Sequence, residues 1–253
     1  MAQMKFLDPP MPDIIDQWRY YFSLLRPEKG NRIIDVGSGV GDAIHLLFRE
    51  HPAIAKIVGI DSNAENCETA ISLWKQNGSP DNIEIKVADA QNLPFPENNF
   101  DRAICAETLE YVPNPATAIS EIRRVLRQDG IALFIHSDFD TQVFNSGDRD
   151  RTRTIVKTFS DAGPNGQMGR ELYGLCRAAG FASVEALIYP FIGTSLEPNT
   201  YAYKMSHMMV EWLTRKSIIA VSELTHWISD MEQAYAEGNF IYSINRYVCR
   251  CVK

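Results

Sequence analysis

The sequence predicts an α/β fold, a mostly parallel sheet with helices on both faces. Two observations carry this. Short apolar runs alternate with helical patterns over the first 150 or so residues, and three of those runs end in an acid just before the chain turns. With 253 residues, 45% of them hydrophobic and 23% charged, the chain is long and apolar enough to bury a core as a single domain spanning 1–253.

The elements follow in order. Arg32 to Val36 is a short apolar run that ends in glycines, and Ala43 to Arg49 reads as the apolar face of a helix. Lys56 to Ile60 is the next strand, followed by a helix from about Ala64 to Gln76 that Asn77-Gly78 closes. Ile83 to Val87 alternates with period two, and Arg102 to Ala106 is a buried strand. Pro115 opens a helix running to about Arg127, with Asp129-Gly130 as its stop, and Ile131 to Ile135 is another strand. Later come a helix over Arg170–Ala179, a strand over Phe181–Phe191, a helical stretch from Tyr201 to Ala236 and a closing strand from Phe240 to Val248. Two segments are spare: 138–166, and a helical insertion at 194–238 between the last two strands. Such excursions from a compact sheet are commonly lids or binding elements.

Charge narrows the partners. The 25 lysines and arginines against 32 acids leave a net charge of −7, with no basic block, so no nucleic-acid partner is expected. No apolar run reaches membrane-spanning length and the N-terminus carries no cleavage signature, so the expectation is a cytoplasmic protein with no membrane partner. The five cysteines form no CxxC pair and read as reduced, buried hydrophobes. Cys249 and Cys251 share one side of a strand, but no third and fourth ligand lies nearby in sequence, so no metal is expected.

The most informative segment is Asp35-Val36-Gly37-Ser38-Gly39-Val40-Gly41-Asp42, a strand end, a glycine turn and a helix start. The dinucleotide fingerprint wants a small residue three positions after its second glycine, and here Asp42 stands there, against any pyrophosphate. Asp35, two residues before the first glycine, also repels phosphate and attracts a cation. S-adenosyl-L-methionine carries an α-ammonium and a sulfonium and no phosphate, so the electrostatics favour it over NAD or ATP. Asp61, at the tip of the next strand, suits two ribose hydroxyls, with Ser62 beside it. Asp89, at the third tip, suits the adenine amino group while the backbone of Ala90 meets a ring nitrogen.

The run Asp35 to Asp42, the Gly59-Ile60-Asp61-Ser62 and Ala88-Asp89-Ala90 tips, Leu93-Pro94-Phe95-Pro96, Glu107 to Val112 and Ile122 to Leu126 together resemble class I S-adenosylmethionine-dependent methyltransferases. The resemblance is to the small-molecule branch that includes the ubiquinone/menaquinone-biosynthesis type, over roughly residues 25–137. It implies a Rossmann-like seven-stranded sheet whose last strand is antiparallel. It also implies a methyl donor held by Asp35, Gly37, Ser38 and Gly39 at the methionine end, by Asp61 and Ser62 at the ribose and by Asp89 and Ala90 at the adenine. The Cys105-Ala106-Glu107 strand end would line the methionine portion, largely through backbone groups. An N-terminal helix within 1–28 would cover the donor, and a role in small-molecule biosynthesis, of the secondary-metabolism kind, would follow.

Methyl transfer is an in-line displacement that rests on alignment. A hydroxyl or ammonium acceptor also needs a base. His136, Asp138 and Glu107 lie at the tips of the strands expected to flank the methyl group and are the candidates. Aromatic and methionine residues of the N-terminal stretch and the insertion (Trp18, Tyr20, Tyr21, Tyr189, Tyr201, Met205, Met208, Met209) favour a mid-sized, largely apolar or aromatic acceptor. The oxygen, nitrogen or carbon that is methylated stays open, as does the oligomeric state. The competing readings are an enzyme that uses the same cofactor for cyclisation, rearrangement or decarboxylation, and a non-catalytic binding module. Three intact acids argue against the latter.

Overall fold

The computed structural model describes residues 12–76 and 81–253. Asn77-Gly78, expected to close a helix, lies outside them, as does the N-terminal segment before residue 12.

The principal strands are β1 (Arg32–Val36), β2 (Lys56–Asp61), β3 (Ile83–Val87), β4 (Phe100–Ala106), β5 (Leu126–Ser137), β7 (Ser183–Gly193) and β8 (Tyr242–Val252). A two-residue strand, β6 (Val143–Phe144), is an eighth. Across the sheet the order runs β3-β2-β1-β4-β5-β8, with β7 along the other edge of β8 and β6 pairing with the start of β8. β1 to β5 pair in parallel, and β8 runs antiparallel to both β5 and β7. This is the expected mostly parallel sheet with an antiparallel last strand.

The helices are α1 (Ile15–Leu25), α2 (Asp42–Glu50), α3 (Ala64–Gln76), α4 (Pro115–Val125), α5 (Arg149–Ala162), α6 (Met168–Ala178), α7 (Tyr201–Lys216) and α8 (Val221–Ala236). The two faces of the sheet bury different cores, because successive residues of a strand point to opposite sides. On one face, Ile33, Ile57, Ile104, Leu133 and Ile135 pack with Tyr21, Phe22 and Leu25 of α1 and with Ile44 and Leu47 of α2. On the other, Ile34, Val58, Ala103, Ala132 and Phe134 pack with Ile119 and Ile122 of α4 and Met168 and Leu172 of α6. Strands buried on both faces read as continuous apolar runs, as these do. A third core joins α5, α7 and α8 around Trp227.

Several boundaries differ from the sequence reading. α4 ends at Val125, two residues early, because the fully buried Leu126 leaves the helix to pair with Phe100 at the start of β5. Asp129, at φ 62, then turns the chain with Gly130 inside the span of β5, so this pair marks a turn and not a helix stop. The 201–236 stretch is two helices, since Ser217 takes a left-handed conformation (φ 54) and its N–H caps the Leu213 and Thr214 carbonyls. The closing strand runs on to Val252, so Cys249 and Cys251 lie within it.

Trp227 fills the α5–α8 seam. It is fully buried, stacks edge-on to Phe144 at 5.0 Å and donates its indole N–H to Thr152 Oγ1 at 3.1 Å. Trp227→Ala is expected to lose about 3–5 kcal/mol of stability in urea unfolding. A loss under about 1 kcal/mol would mean that the insertion does not contribute to the cooperative core.

Candidate active site

Parallel pairing brings the ends of β1, β2 and β3 side by side. Asp35 sits opposite Gly59 and Ile104, and Asp61 opposite Val87. Asp35 is buried at 4% exposure. Two influences act on its carboxyl, loss of water first and the Asp61 charge second, and both push it up, from 3.8 to about 7.

Above Asp35 the chain turns through the glycine loop. The N–H groups of Gly37 and Ser38 both donate to the Ile60 carbonyl at 2.8 Å, which ties the loop to β2. Gly37 has φ 81, and a Cβ there would lie 2.0 Å from Thr108 Oγ1, so the turn after β4 packs directly onto the loop. Gly39 has φ 54, yet a Cβ there would meet nothing within 4 Å. The loop thus offers bare backbone to open space. Ser38 Oγ is buried without a hydrogen-bond partner.

Asp61 holds this loop in shape. Its Oδ2 accepts from Gly39 N–H at 2.9 Å, and its Oδ1 accepts from Asn63 N–H at 2.8 Å and from the Asn66 amide at 3.3 Å. Oδ1 thus accepts twice and Oδ2 once, which leaves a lone pair on Oδ2 for an incoming hydroxyl donor. Ser62 is exposed beside it. Asp89 is exposed and accepts from Gln91 N–H at 2.9 Å, while Ala90 is buried next to it. Cys105 is 1% exposed with its side chain in the core, so only its backbone faces this region, and burial raises its thiol pKa.

The candidate acids and bases are arranged differently from the sequence expectation. His136 is 0% exposed and shares the α6 face with Ala132 and Phe134. Its Nδ1 lies 2.8 Å from Glu110 Oε2, Glu110 Oε1 accepts from Ser137 N–H at 2.8 Å, and its Nε2 has no partner. Asp138 is equally buried. It caps the short turn at Asp140 N–H (3.2 Å) and forms a two-pronged ion pair with Arg170, including a 2.9 Å contact from Nη2. Both are thereby held by structural partners.

Glu107 is the candidate that faces outward. It follows β4 in a left-handed conformation (φ 49), a strained state for a side-chain-bearing residue that is typical of functional sites. Its carboxylate pairs with Arg246 and accepts from Ser137 Oγ at 3.0 Å. Glu107 is 35% exposed, whereas Arg246 behind it is 2% exposed. Loss of water pushes its carboxyl up, against the pull of Arg246. Tyr201 of α7 lies under the Arg246 guanidinium at 4.6 Å, and the Tyr21 hydroxyl of α1 is buried nearby without a partner.

Sequence reasoning missed Arg246, Glu110, Ser137 and Thr108. For Arg246 a signal existed. Tyr242, Ile244 and Val248 form one buried register of β8, and Arg246 is the charge on it. Several residues expected to line an acceptor pocket serve another purpose, since Met205 and Met209 fill the core of the insertion around Trp227. Cys176 of α6 meets Cys249 and Cys251, a third cysteine that the sequence spacing did not reveal. Among the described residues no group of His, Cys, Asp and Glu suits a metal ion, and no helix is long and apolar enough to cross a membrane.

Residues 27–179 match a family model described as a methyltransferase domain. The chain belongs to this methyltransferase family. Among curated proteins it is similar to ubiquinone/menaquinone biosynthesis C-methyltransferases. The ubiquinone/menaquinone biosynthesis C-methyltransferase UbiE of Geotalea uraniireducens is 32% identical over 122 residues, which cover 47% of this chain and 51% of that protein. The chain spans about half the length of the curated relatives it matches. Among solved structures, the YcgJ protein of Bacillus subtilis superposes with a TM-score of 0.65 at 16% identity, covering 94% of this chain and 98% of that one. The [4+2]-cyclase SpnF superposes at 0.60 with 21% identity, over 93% of this chain and 80% of that one. At these identities the likeness is one of fold.

Asp35 sets a stability test. Its folded value lies above its unfolded one, so the folded chain holds the extra proton between about pH 4 and pH 7, and the residue lowers stability as pH rises through that window. Above pH 7 the cost is about 4 kcal/mol. Asp35→Asn is therefore expected to raise the melting temperature of the ligand-free protein at pH 8 and to change it little at pH 4. An equal effect at both values would contradict an uncompensated carboxylate.

Proposed function

We propose that this protein is an S-adenosyl-L-methionine-dependent methyltransferase acting on a mid-sized, largely apolar or aromatic small molecule. The observation that carries the reading is the Asp35 carboxylate, buried at the tip of β1 with its charge opposed only by loss of water and by another acid. Such a group rejects phosphate and is stabilised by a cation. The open face of Gly39 supplies the close backbone approach for the amino-acid end of the donor. In this reading Asp35, Gly37, Ser38 and Gly39 hold that end, Asp61 and Ser62 the ribose, Asp89 and Ala90 the adenine, and the backbone at Cys105 the methionine chain.

When bound, S-adenosylmethionine supplies a methyl group already activated on a sulfonium. The chain's own task is then alignment, a contribution worth about 7–11 kcal/mol when reacting atoms are well placed. Glu107 sits between the glycine loop, reached through Thr108, and the tyrosines of α1 and α7. It is the group placed to orient an acceptor or take its proton. His136 and Asp138 support it from below: Glu110 binds both His136 and the Ser137 backbone, and Asp138 fixes the chain that follows. α1 and the 194–238 insertion form the walls on the acceptor side.

Asp61→Ala is expected to weaken S-adenosylmethionine binding at least tenfold by calorimetry, because it removes both the ribose acceptor and the Gly39 anchor. Unchanged affinity would remove the assignment. Screening phenols, amines and indoles is expected to yield one S-adenosylhomocysteine per product formed. Turnover without that release would favour cyclisation, rearrangement or decarboxylation on the same scaffold.

A further inference from the structure

The Glu107–Arg246 pair goes beyond the reading above and rests on it. Arg246 lies on the buried register of β8, 1% exposed, where an unpaired charge would be costly. One of its amino groups donates to both Glu107 and Ser137 Oγ, while its Nε has no partner. The groups whose charge reaches Glu107 come from every side: Arg246 on β8, His136 on β5 and Glu110 in the loop after β4. Tyr21 on α1, Tyr111 after β4, Tyr201 on α7 and Tyr242 on β8 feel its charge in turn. Among these, Glu110 opposes a charge on Glu107, and Arg246 favours it most strongly. The Thr108 side chain leans on Gly37, so the backbone that carries Glu107 adjoins the donor loop.

We propose that Arg246 is a positioning residue that holds Glu107 in its charged form and aims it at the sulfonium end of the donor site. A fixed anion there favours a cationic methyl donor over its neutral, demethylated product. It thereby assists product release. A charge held in place by a buried partner needs little reorganisation when the ligand arrives.

The test compares S-adenosylmethionine with S-adenosylhomocysteine by calorimetry from pH 6 to 9. The two share the α-ammonium, so the Asp35 contribution cancels in their ratio, and the ratio reports charge felt at sulfur. Wild type is expected to prefer the cationic donor across this range. Glu107→Gln should reduce the preference about tenfold and make it independent of pH. Arg246→Gln should leave the preference intact only at high pH, with its midpoint moved up by at least one pH unit, and Arg246→Lys should restore the wild-type profile. A folded Arg246→Gln with the wild-type profile, or a Glu107→Gln ratio equal to wild type, overturns the proposal. Infrared difference spectra of wild type against Glu107→Gln at pH 7 give an independent reading should Arg246→Gln not fold. An ionised carboxylate is expected, and a protonated carboxyl band overturns the proposal. Failure of the wild type to bind either compound would instead refute the cofactor assignment itself.

Discussion

The site depends on a carboxylate, Asp35, that has no counterion among the described residues. Asp35 is carried into the protein by β1, whose Ile33, Ile34 and Val36 fill the two cores flanking the sheet. Its neighbour on β2 is a second acid. A chain that keeps such a group ligand-free sacrifices stability. What returns that stability is a cation, and the bare backbone of Gly39 leaves the approach open. Asp61 has two duties here, shaping the loop through the Gly39 N–H and adding to the negative field.

A second carboxylate, half-buried, contrasts with the first. Glu107 also ends a strand and also loses water, but β8 supplies Arg246 behind it and β5 supplies Ser137 beside it. One acid is therefore left open to an incoming positive charge, and the other is paired with an arginine of the protein itself. Thr108 joins them, since its side chain occupies the space that a larger residue at position 37 would need. The antiparallel return of β8 is thus more than the closing of a sheet, because it delivers the arginine on which the far side of the site rests.

Much of the fold was legible because parallel strands buried on both faces leave continuous apolar runs that stop at glycines and acids. The three strand-end acids and the glycine loop were readable for the same reason. That very continuity hid the facing of β5. Ile131 to Ile135 is apolar on both sides, so nothing local says that Ser137, and not His136, turns toward Glu107. Leu126 reads as the next residue of a helix until its pairing with Phe100, a contact distant in sequence, draws it into the sheet. The break at Ser217 has no glycine or proline to announce it. Arg246 was visible as an inward charge on an alternating strand, but its partner Glu107 lies 139 residues away and only the topology brings them together.

The most direct test of the Asp35 account is proton release on cofactor binding. S-adenosylmethionine titrated at pH 6 in two buffers of different ionisation enthalpy reports the protons exchanged. With a carboxyl near 7 in the free protein, binding a cation should expel about one proton per cofactor, and Asp35→Asn should abolish the release. Binding with no proton released, or binding of NAD or ATP in place of S-adenosylmethionine, would contradict the account.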